Sequence, residues 1–323
     1  MKKLICVMLT VLMIVSIFAG CGAKADDGVI NVAIIQQLDH SSLDEIRLAA
    51  QAQLDKIAAE KGVKVEYKHF NGQNDTSVLA QIGTQVVSDG YDLILPIATL
   101  AAQYAVTAAE GKNIPIVYAA VSDPAGAGLT GMSNVTGVSD ALNTPFIMDM
   151  MFAIDPDIQT VGLLYSLSEP NSEMPIKEAK EYLDAKGIAY IEKTGNTADE
   201  VITAATALVG RCDAVFTPTD NAIMNVAPSV AEILCDAGIA HYTGADSFVQ
   251  SGSFTTCGVN YTELGTYAAT MAMDIALGGA VPEFHVMDGG IITVNTNTAE
   301  ALGIDYSVFN TMANTVMAVT SVE

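Results

Sequence analysis

The chain has 323 residues, and its 14 Lys and Arg stand against 37 Asp and Glu, a formal charge of −23. That excess of negative charge repels a phosphate backbone and excludes a nucleic-acid partner. Hydrophobic residues make up 50% and charged residues 16%, which excludes a disordered chain, and the absence of Trp with only 6% aromatics favours Ala-rich helices on Val/Ile strands over a β-sandwich.

The chain opens with an export signal. Met1-Lys2-Lys3 is basic, Leu4 to Phe18 is an apolar run, and Ala19-Gly20-Cys21 follows. A charged start, an apolar middle and small residues at the cut define a secretory signal, and the run is too short for a comfortable membrane span of about 20 residues. The Cys after Ala-Gly resembles a bacterial lipobox, which implies that 1–20 is removed, that Cys21 carries lipid such as palmitate, and that 21–28 is a tether. The expected location is the outer face of the bacterial cytoplasmic membrane. Cys212, Cys235 and Cys257 remain beyond the signal, an odd number with no zinc-ligand spacing, read as free thiols with at most one incidental disulfide.

From Val29 onward the grammar is strand, polar loop, helix. Val29 to Ile35 is a β-branched run, as in a strand covered on both faces. Ser42 and Glu45 have the spacing of a capping box and predict a helix through Ala58 that Gly62 ends. A strand at Val63, Val65 and Tyr67 follows, then a helix capped by Asp75 or Thr76, a strand at 91–98, a helix at 100–110 and a strand at 114–121. After a Gly-rich loop the pattern restarts near residue 145. It runs through a helix at 145–153, a strand at 161–165, a helix at 172–186, a strand at 188–193, and a helix opened by a second capping box at Thr197 and Glu200. A strand at 214–217, a helix at 222–236, strands at 240–243 and 256–260, and a helix at 262–277 complete it. Such alternation predicts an α/β fold of two doubly wound parallel-sheet lobes joined by a multi-strand hinge. The expected division is 29–144 plus 259–286 against 145–258 plus 287–323.

Ligands of open parallel sheets bind beyond the carboxyl ends of the strands. Those ends here carry Gln36, Gln37, Asp39 and His40; Thr99 to Gln103; Ser122-Asp123-Pro124; Ser166, Ser168, Glu169, Asn171 and Ser172; Thr219-Asp220-Asn221; and Asp246. Each Ser, Thr, Asp or Asn is also a good helix cap, but in Asp220-Asn221 only one of the two can cap. A helix start at Thr99 to Ala102 suits a carboxylate, and Asp123, Asp220 and Asp246 suit an ammonium. Together they point to a zwitterion. Tyr118 and Tyr165 are read as core residues before ligand neighbours.

Motifs for catalysis are absent: there is no P-loop, HExxH or GxSxG. Gly126 to Gly131 fits GxGxxG, but it does not join a first strand to a helix and lacks an acidic ribose partner, so it is read as a Gly-rich loop. His40, His69, His241 and His285 form no spaced ligand pair, and neither metal nor cofactor is expected. Asp123, Glu169 and Asp220 leave open a carboxylate-based hydrolase.

Several ordered blocks carry a resemblance over the whole chain beyond the signal: Leu43-Asp44-Glu45, Ala101-Ala102-Gln103, Ala119 to Pro124, Asn134 to Asp140, Tyr165 to Ser172, Pro218 to Asn221, and Gly258 to Tyr261 with Leu264-Gly265. They resemble the substrate-binding lipoproteins of ABC importers in the group associated with tryptophan and phenylalanine uptake. The resemblance implies a type I periplasmic-binding-protein fold, a permease and an ATPase as partners, and no reaction. It would place Thr99, Ala101, Ser122 and Asp123 on one wall of the cleft, and Glu169, Asn171, Ser172, Asp220 and Asn221 on the other. Leu100 stands where similar sequences often hold Pro, and Asp246 where they are often Glu-like. The expected ligand set is Gln37, Thr99, Ala101, Ser122, Asp123, Glu169, Asn171, Ser172, Asp220, Asn221 and Asp246, closing on an aromatic amino acid. A sugar or nucleoside binder and a ligand-sensing lipoprotein are the alternatives.

Overall fold

The computed structural model describes residues 28–321, so the expected signal, Cys21 and all of the tether but Gly28 lie outside the described residues. In chain order, β1 (Val29–Gln36), α1 (Ser41–Lys61), β2 (Lys64–Asn71), α2 (Thr76–Asp89), β3 (Leu93–Ile97), α3 (Thr99–Ala108), β4 (Ile116–Ala119) and β5 (Val135–Ser139) come first. The second run is α4 (Thr144–Ile154), β6 (Thr160–Tyr165), a 3-10 turn (Pro170–Ser172), α5 (Glu173–Lys186), β7 (Ala189–Thr194), α6 (Ala198–Thr206), β8 (Ala214–Thr217), α7 (Asn221–Met224), α8 (Ala227–Asp236), β9 (Ala240–Thr243), α9 (Asp246–Gln250) and β10 (Thr255–Gly258). Then α10 (Tyr261–Ala276) and β11 (His285–Val286) precede β12 (Ile291–Asn295), α11 (Thr296–Leu302), α12 (Phe309–Met312) and β13 (Thr315–Val319).

Two sheets result, ordered β11-β5-β4-β3-β1-β2 and β13-β12-β10-β9-β8-β6-β7. Each lobe is a twisted sheet covered by helices on both faces, and β3 and β4 are buried at every residue, as covering on both faces requires. The expected parallel lobes are present, with one exception: β10 and β12 pair antiparallel, Gly258 opposite Ile291. The connectivity explains it. The chain leaves β10, contributes α10 and β11 to the other lobe, and re-enters beside the end it left, so β12 must run back along β10. Among the described residues the chain passes between the lobes three times, at 140–143, 259–260 and 287–290.

Local signals mostly give the elements they predict. Asp75 caps α2 through Ser77 N and Val78 N, and Thr197 with Glu200 forms a complete capping box on α6. Two expectations are corrected. The helix expected over 222–236 is two, α7 and α8, because Pro228 sits in the first turn of a new helix and has no N–H to continue the old one. Ser42 and Glu45 do not form a capping box. The N-cap of α1 is His40, which makes no side-chain cap bond. Ser42 Oγ instead donates to Asp246 Oδ1 at 3.0 Å, and Glu45 Oε1 accepts from Thr262 N at 2.9 Å. Tertiary partners outcompete the local cap, and Glu45 places a negative charge at the positive end of α10.

Cys212, Cys235 and Cys257 are free thiols. Tyr118 is fully buried against the core of the first lobe, and Tyr165 donates its hydroxyl to Glu192 at 2.7 Å, so both belong to packing. Gly126 to Gly131 is a turn region tied down by Asp123 and by buried Leu129, not the start of a helix.

Helices α1 and α10 pack together over the first lobe, and Gly265 is where their backbones touch. A Cβ there would collide with the backbone carbonyl of Ile46. Gly265→Ala should therefore destabilise by at least about 1–3 kcal/mol, since backbone cannot step aside as a side chain can. A midpoint of thermal unfolding that stays at the wild-type value would contradict this packing.

Candidate functional site

In a doubly wound sheet the ligand crevice opens where the strand order reverses. The first sheet reverses between β1 and β3, and the second between β6 and β8. The loops at those points carry Gln37 and Thr99 on one side, and Glu169, Asn171, Asp220 and Asn221 on the other. The two crevices face each other around a narrow cavity of about 30 Å³. Thr99, Ser122, Asn171, Asp220 and Asn221 line it, joined by His40, Ser42, Leu43, Ala98, Ala120, Asp140, Thr219, Met224, Ala245, Ser247, Phe248 and Tyr261.

Hydrogen bonds bridge the cavity from lobe to lobe. Gln37 Nε2 donates to Glu169 Oε1 at 2.9 Å, and Ser122 Oγ lies 3.2 Å from Thr219 Oγ1. His40 Nε2 lies 3.3 Å from Asn221 Oδ1, and Ser42 bonds Asp246 as described. Gln37 is held in turn by Asn74 Oδ1 and by Leu100 N, which donates to Gln37 Oε1 at 3.2 Å. The first-turn N–H groups of α3 have no partner within their own helix, so Leu100 N is free for this contact.

Asp220-Asn221 divides its work as two adjacent cap residues must. Asp220 Oδ1 caps α7 by accepting from Ile223 N, and its Oδ2 accepts from Ser166 N and Ser172 Oγ at 2.7 Å each. Asn221 is left for the cavity, and its Nδ2 donates to Glu169 Oε2 at 2.9 Å. Glu169 is therefore held by the side-chain amides of Gln37 and Asn221 and by the backbone of Asn221.

The electrostatics are unusual. Glu169, Asp220 and Asp140 are buried, and no ion pair among the described residues reaches them. Burial and then the neighbouring Asp220 charge push the Glu169 carboxyl up to about 8. Burial also raises Asp220 and Asp140, the latter accepting from Ser122 Oγ at 2.9 Å, and raises Asp246. Buried carboxylates without a cation are costly, and the cavity walls supply none.

The backbone is strained at the same place. Ala98 and Ala120, at the ends of β3 and β4, adopt φ of +76° and +56°. A side-chain-bearing residue in that region costs about 1–2 kcal/mol, and such strain gathers at functional sites. Seven buried side-chain polar atoms among the described residues lack a partner, and four of them, His40 Nδ1, Thr99 Oγ1, Asn171 Oδ1 and Ser247 Oγ, belong to residues lining this cavity. Two larger grooves, one beside the lobe crossings and one along α10, contain none of these four residues.

The remaining expected residues lie near but not on the cavity. Gln37 and Glu169 brace its wall, and Ser172 orients Asp220. Ala101 is packed in the first-lobe core, Asp123 accepts from Gly126 N at 2.9 Å in a local turn, and Asp246 joins the lobes. Asp140 and Ser247 follow β5 and β9, so the strand-end rule reaches them. Ala98 and Ala120 carry no chemical mark in a sequence.

Glu169 gives the site a pH signature. In the folded protein it keeps its proton up to about 8, whereas the unfolded chain loses it near 4.5. Its contribution to stability is full below 4.5 and lost as pH rises through 8. His40, pushed down to about 4 by burial, acts oppositely only below its ordinary 6.5. The ligand-free unfolding midpoint should therefore fall from pH 7 to pH 8, and Glu169→Gln, always neutral, should flatten that fall. A variant that keeps the wild-type slope would contradict the assignment.

Residues 31–313 match the family described as ABC transporter substrate binding protein. The chain is 32% identical over 279 residues to the tyrosine-binding protein of Clostridioides difficile (strain R20291), covering 84% of this chain and 80% of that one. The solved ABC domain in complex with L-Trp from Streptococcus pneumonia aligns with a TM-score of 0.82 at 28% identity, covering 89% of this chain and 99% of that one. The ligand-free, open structure of a substrate binding protein with adhesive properties from Clostridium difficile aligns at 0.68 with 30% identity, covering 90% and 99%. The lobes described here lie nearer the L-Trp complex than the open form, in keeping with the bonds that bridge them. With most of its length matched, the chain belongs to the ABC transporter substrate binding protein family, whose members bind a substrate outside the cytoplasm and do not transform it.

Proposed function

We propose that this protein is the lipid-anchored receptor of an ABC importer and captures an aromatic amino acid between its lobes. The observation that carries the reading is the set of buried carboxylates around one cavity, Glu169, Asp220 and Asp140, with no protein cation to meet them. An α-ammonium group is the counter-charge that would let Glu169, which keeps its proton up to about 8 without a cation, bind as a carboxylate. The start of α3, with the orphaned Thr99 hydroxyl, is the matching place for an α-carboxylate. Leu43, Met224, Ala245 and Phe248 offer an apolar wall for a side chain. The relatives that bind tyrosine and L-Trp support the same ligand class.

The units 29–144 with 259–286, and 145–258 with 287–323, move as two lobes about their three crossings. The bridges Gln37–Glu169 and His40–Asn221 part as the lobes open to admit the ligand; on closure His40–Asn221 re-forms, and the ammonium takes over Gln37's place on Glu169. The closed form then docks on a permease driven by an ATPase.

Titration calorimetry against amino acids, sugars and nucleosides tests the ligand. Tyrosine, tryptophan or phenylalanine should bind, and Glu169→Gln should weaken binding by about 1.5–3 kcal/mol, a roughly 10- to 150-fold rise in Kd. Binding of only a sugar or nucleoside would replace the amino-acid reading, and unchanged affinity in Glu169→Gln would remove Glu169 from the ammonium site. The anchor has its own test. Palmitate label should enter the wild-type protein in cells, and Cys21→Ser should abolish the label and release the protein from membranes. Retained label would locate the lipid elsewhere.

A further inference from the structure

We infer that His40 Nδ1 selects, among aromatic amino acids, those whose side chain ends in a hydrogen-bond donor. This rests on the amino-acid reading above and identifies the residue that makes the choice within the class.

The four unpartnered polar atoms of the cavity fall into two pairs. Thr99 Oγ1 and Asn171 Oδ1 stand by the α3 start and the Glu169 wall, where the ligand's charged end is placed. His40 Nδ1 and Ser247 Oγ stand where α1 meets α9. These two helix starts are joined through Ser42 and Asp246, which bond at 3.0 Å and lie within two residues of His40 and next to Ser247. Leu43 on α1, Met224 at the end of α7, and Ala245 and Phe248 about the start of α9 surround that region with apolar surface. It is a pocket with an apolar body and two polar atoms left unanswered.

The tautomer of His40 follows from its neighbours. Asn221 Nδ2 donates to Glu169 Oε2 at 2.9 Å, which turns Asn221 Oδ1 toward His40 Nε2 at 3.3 Å. An amide oxygen only accepts, so Nε2 carries the hydrogen. Burial keeps the ring neutral at pH 7, even with Asp39 and Asp44 nearby. Nδ1 is therefore a bare lone pair, buried and unpaired. A phenol O–H or an indole N–H satisfies it, whereas a phenyl ring leaves it buried and unsatisfied. A site built to hydrogen-bond a ligand group discriminates strongly against the analogue that lacks it. The Ser247 hydroxyl can donate to a phenol oxygen at the same tip.

The test is calorimetry of the protein with L-Tyr, L-Trp and L-Phe, repeated on His40→Leu and Ser247→Ala, each with its unfolding midpoint as a folding control. His40 makes no side-chain cap bond to α1, so its removal spares the helix start. In the wild type the tighter of Tyr and Trp should exceed Phe by about 30- to 100-fold. His40→Leu also removes the lobe bridge to Asn221 and so weakens all three ligands, but it should weaken Tyr and Trp more than Phe and shrink that gap below about tenfold. Phe binding within about threefold of the best ligand in the wild type would overturn the inference, as would an intact gap in a folded His40→Leu. If His40→Leu does not fold, the wild-type ligand series decides. Failure to bind any of the three would instead sink the aromatic reading, and this inference with it.

Discussion

A carboxylate placed in a protein interior without a cation is the constraint on which this molecule turns. Glu169 and Asp220 come from the loops where the second sheet reverses its strand order, and Asp140 from the end of β5. Only hydrogen bonds offset their burial: amides on Glu169, backbone N–H and Ser172 on Asp220, Ser122 and Tyr261 on Asp140. Those bonds order the walls but leave an electrostatic demand for a positive group. The chain's large negative charge sharpens that demand, since it has few cations of its own to offer.

In the proposed reading, lobe closure and ligand recognition share the same side chains. Gln37 and Asn221 hold Glu169, and both belong to the loops that a ligand would touch. The bridges that join the lobes here are contacts a charged ligand would replace or reinforce. A cavity of this kind is most stable when the bound group restores the missing charge, which couples occupancy to closure without a separate switch.

The parallel architecture is what makes such a site possible. Parallel strands point their carboxyl ends one way, so the small polar loops after β1 to β5 and after β6 to β10 collect at one edge of each sheet. Two lobes set face to face convert two crevices into one narrow cavity. The strained Ala98 and Ala120, at the ends of β3 and β4, show that the backbone there is held by its surroundings, not by local preference.

Much of this was legible in the residues. Buried β-branched runs, capping boxes and Gly stops specify elements locally, because each depends on neighbours a few residues away. The doubled grammar implied two lobes, and the strand-end rule led to Gln37, Thr99, Ser122, Glu169, Asn171, Asp220 and Asn221. Adjacent cap residues at 220 and 221 also signalled that one was free for another role. What tertiary structure alone decided depends on partners distant in sequence. Ser42 and Glu45 abandoned a local cap for Asp246 and Thr262, more than two hundred residues away. Asp123 accepts from Gly126 N in its own loop, and His40 and Ser247 were brought to one cavity where helices from opposite lobes meet. Spacing along a chain encodes backbone conformation; which buried polar atom is left without a partner is a property of the assembled walls.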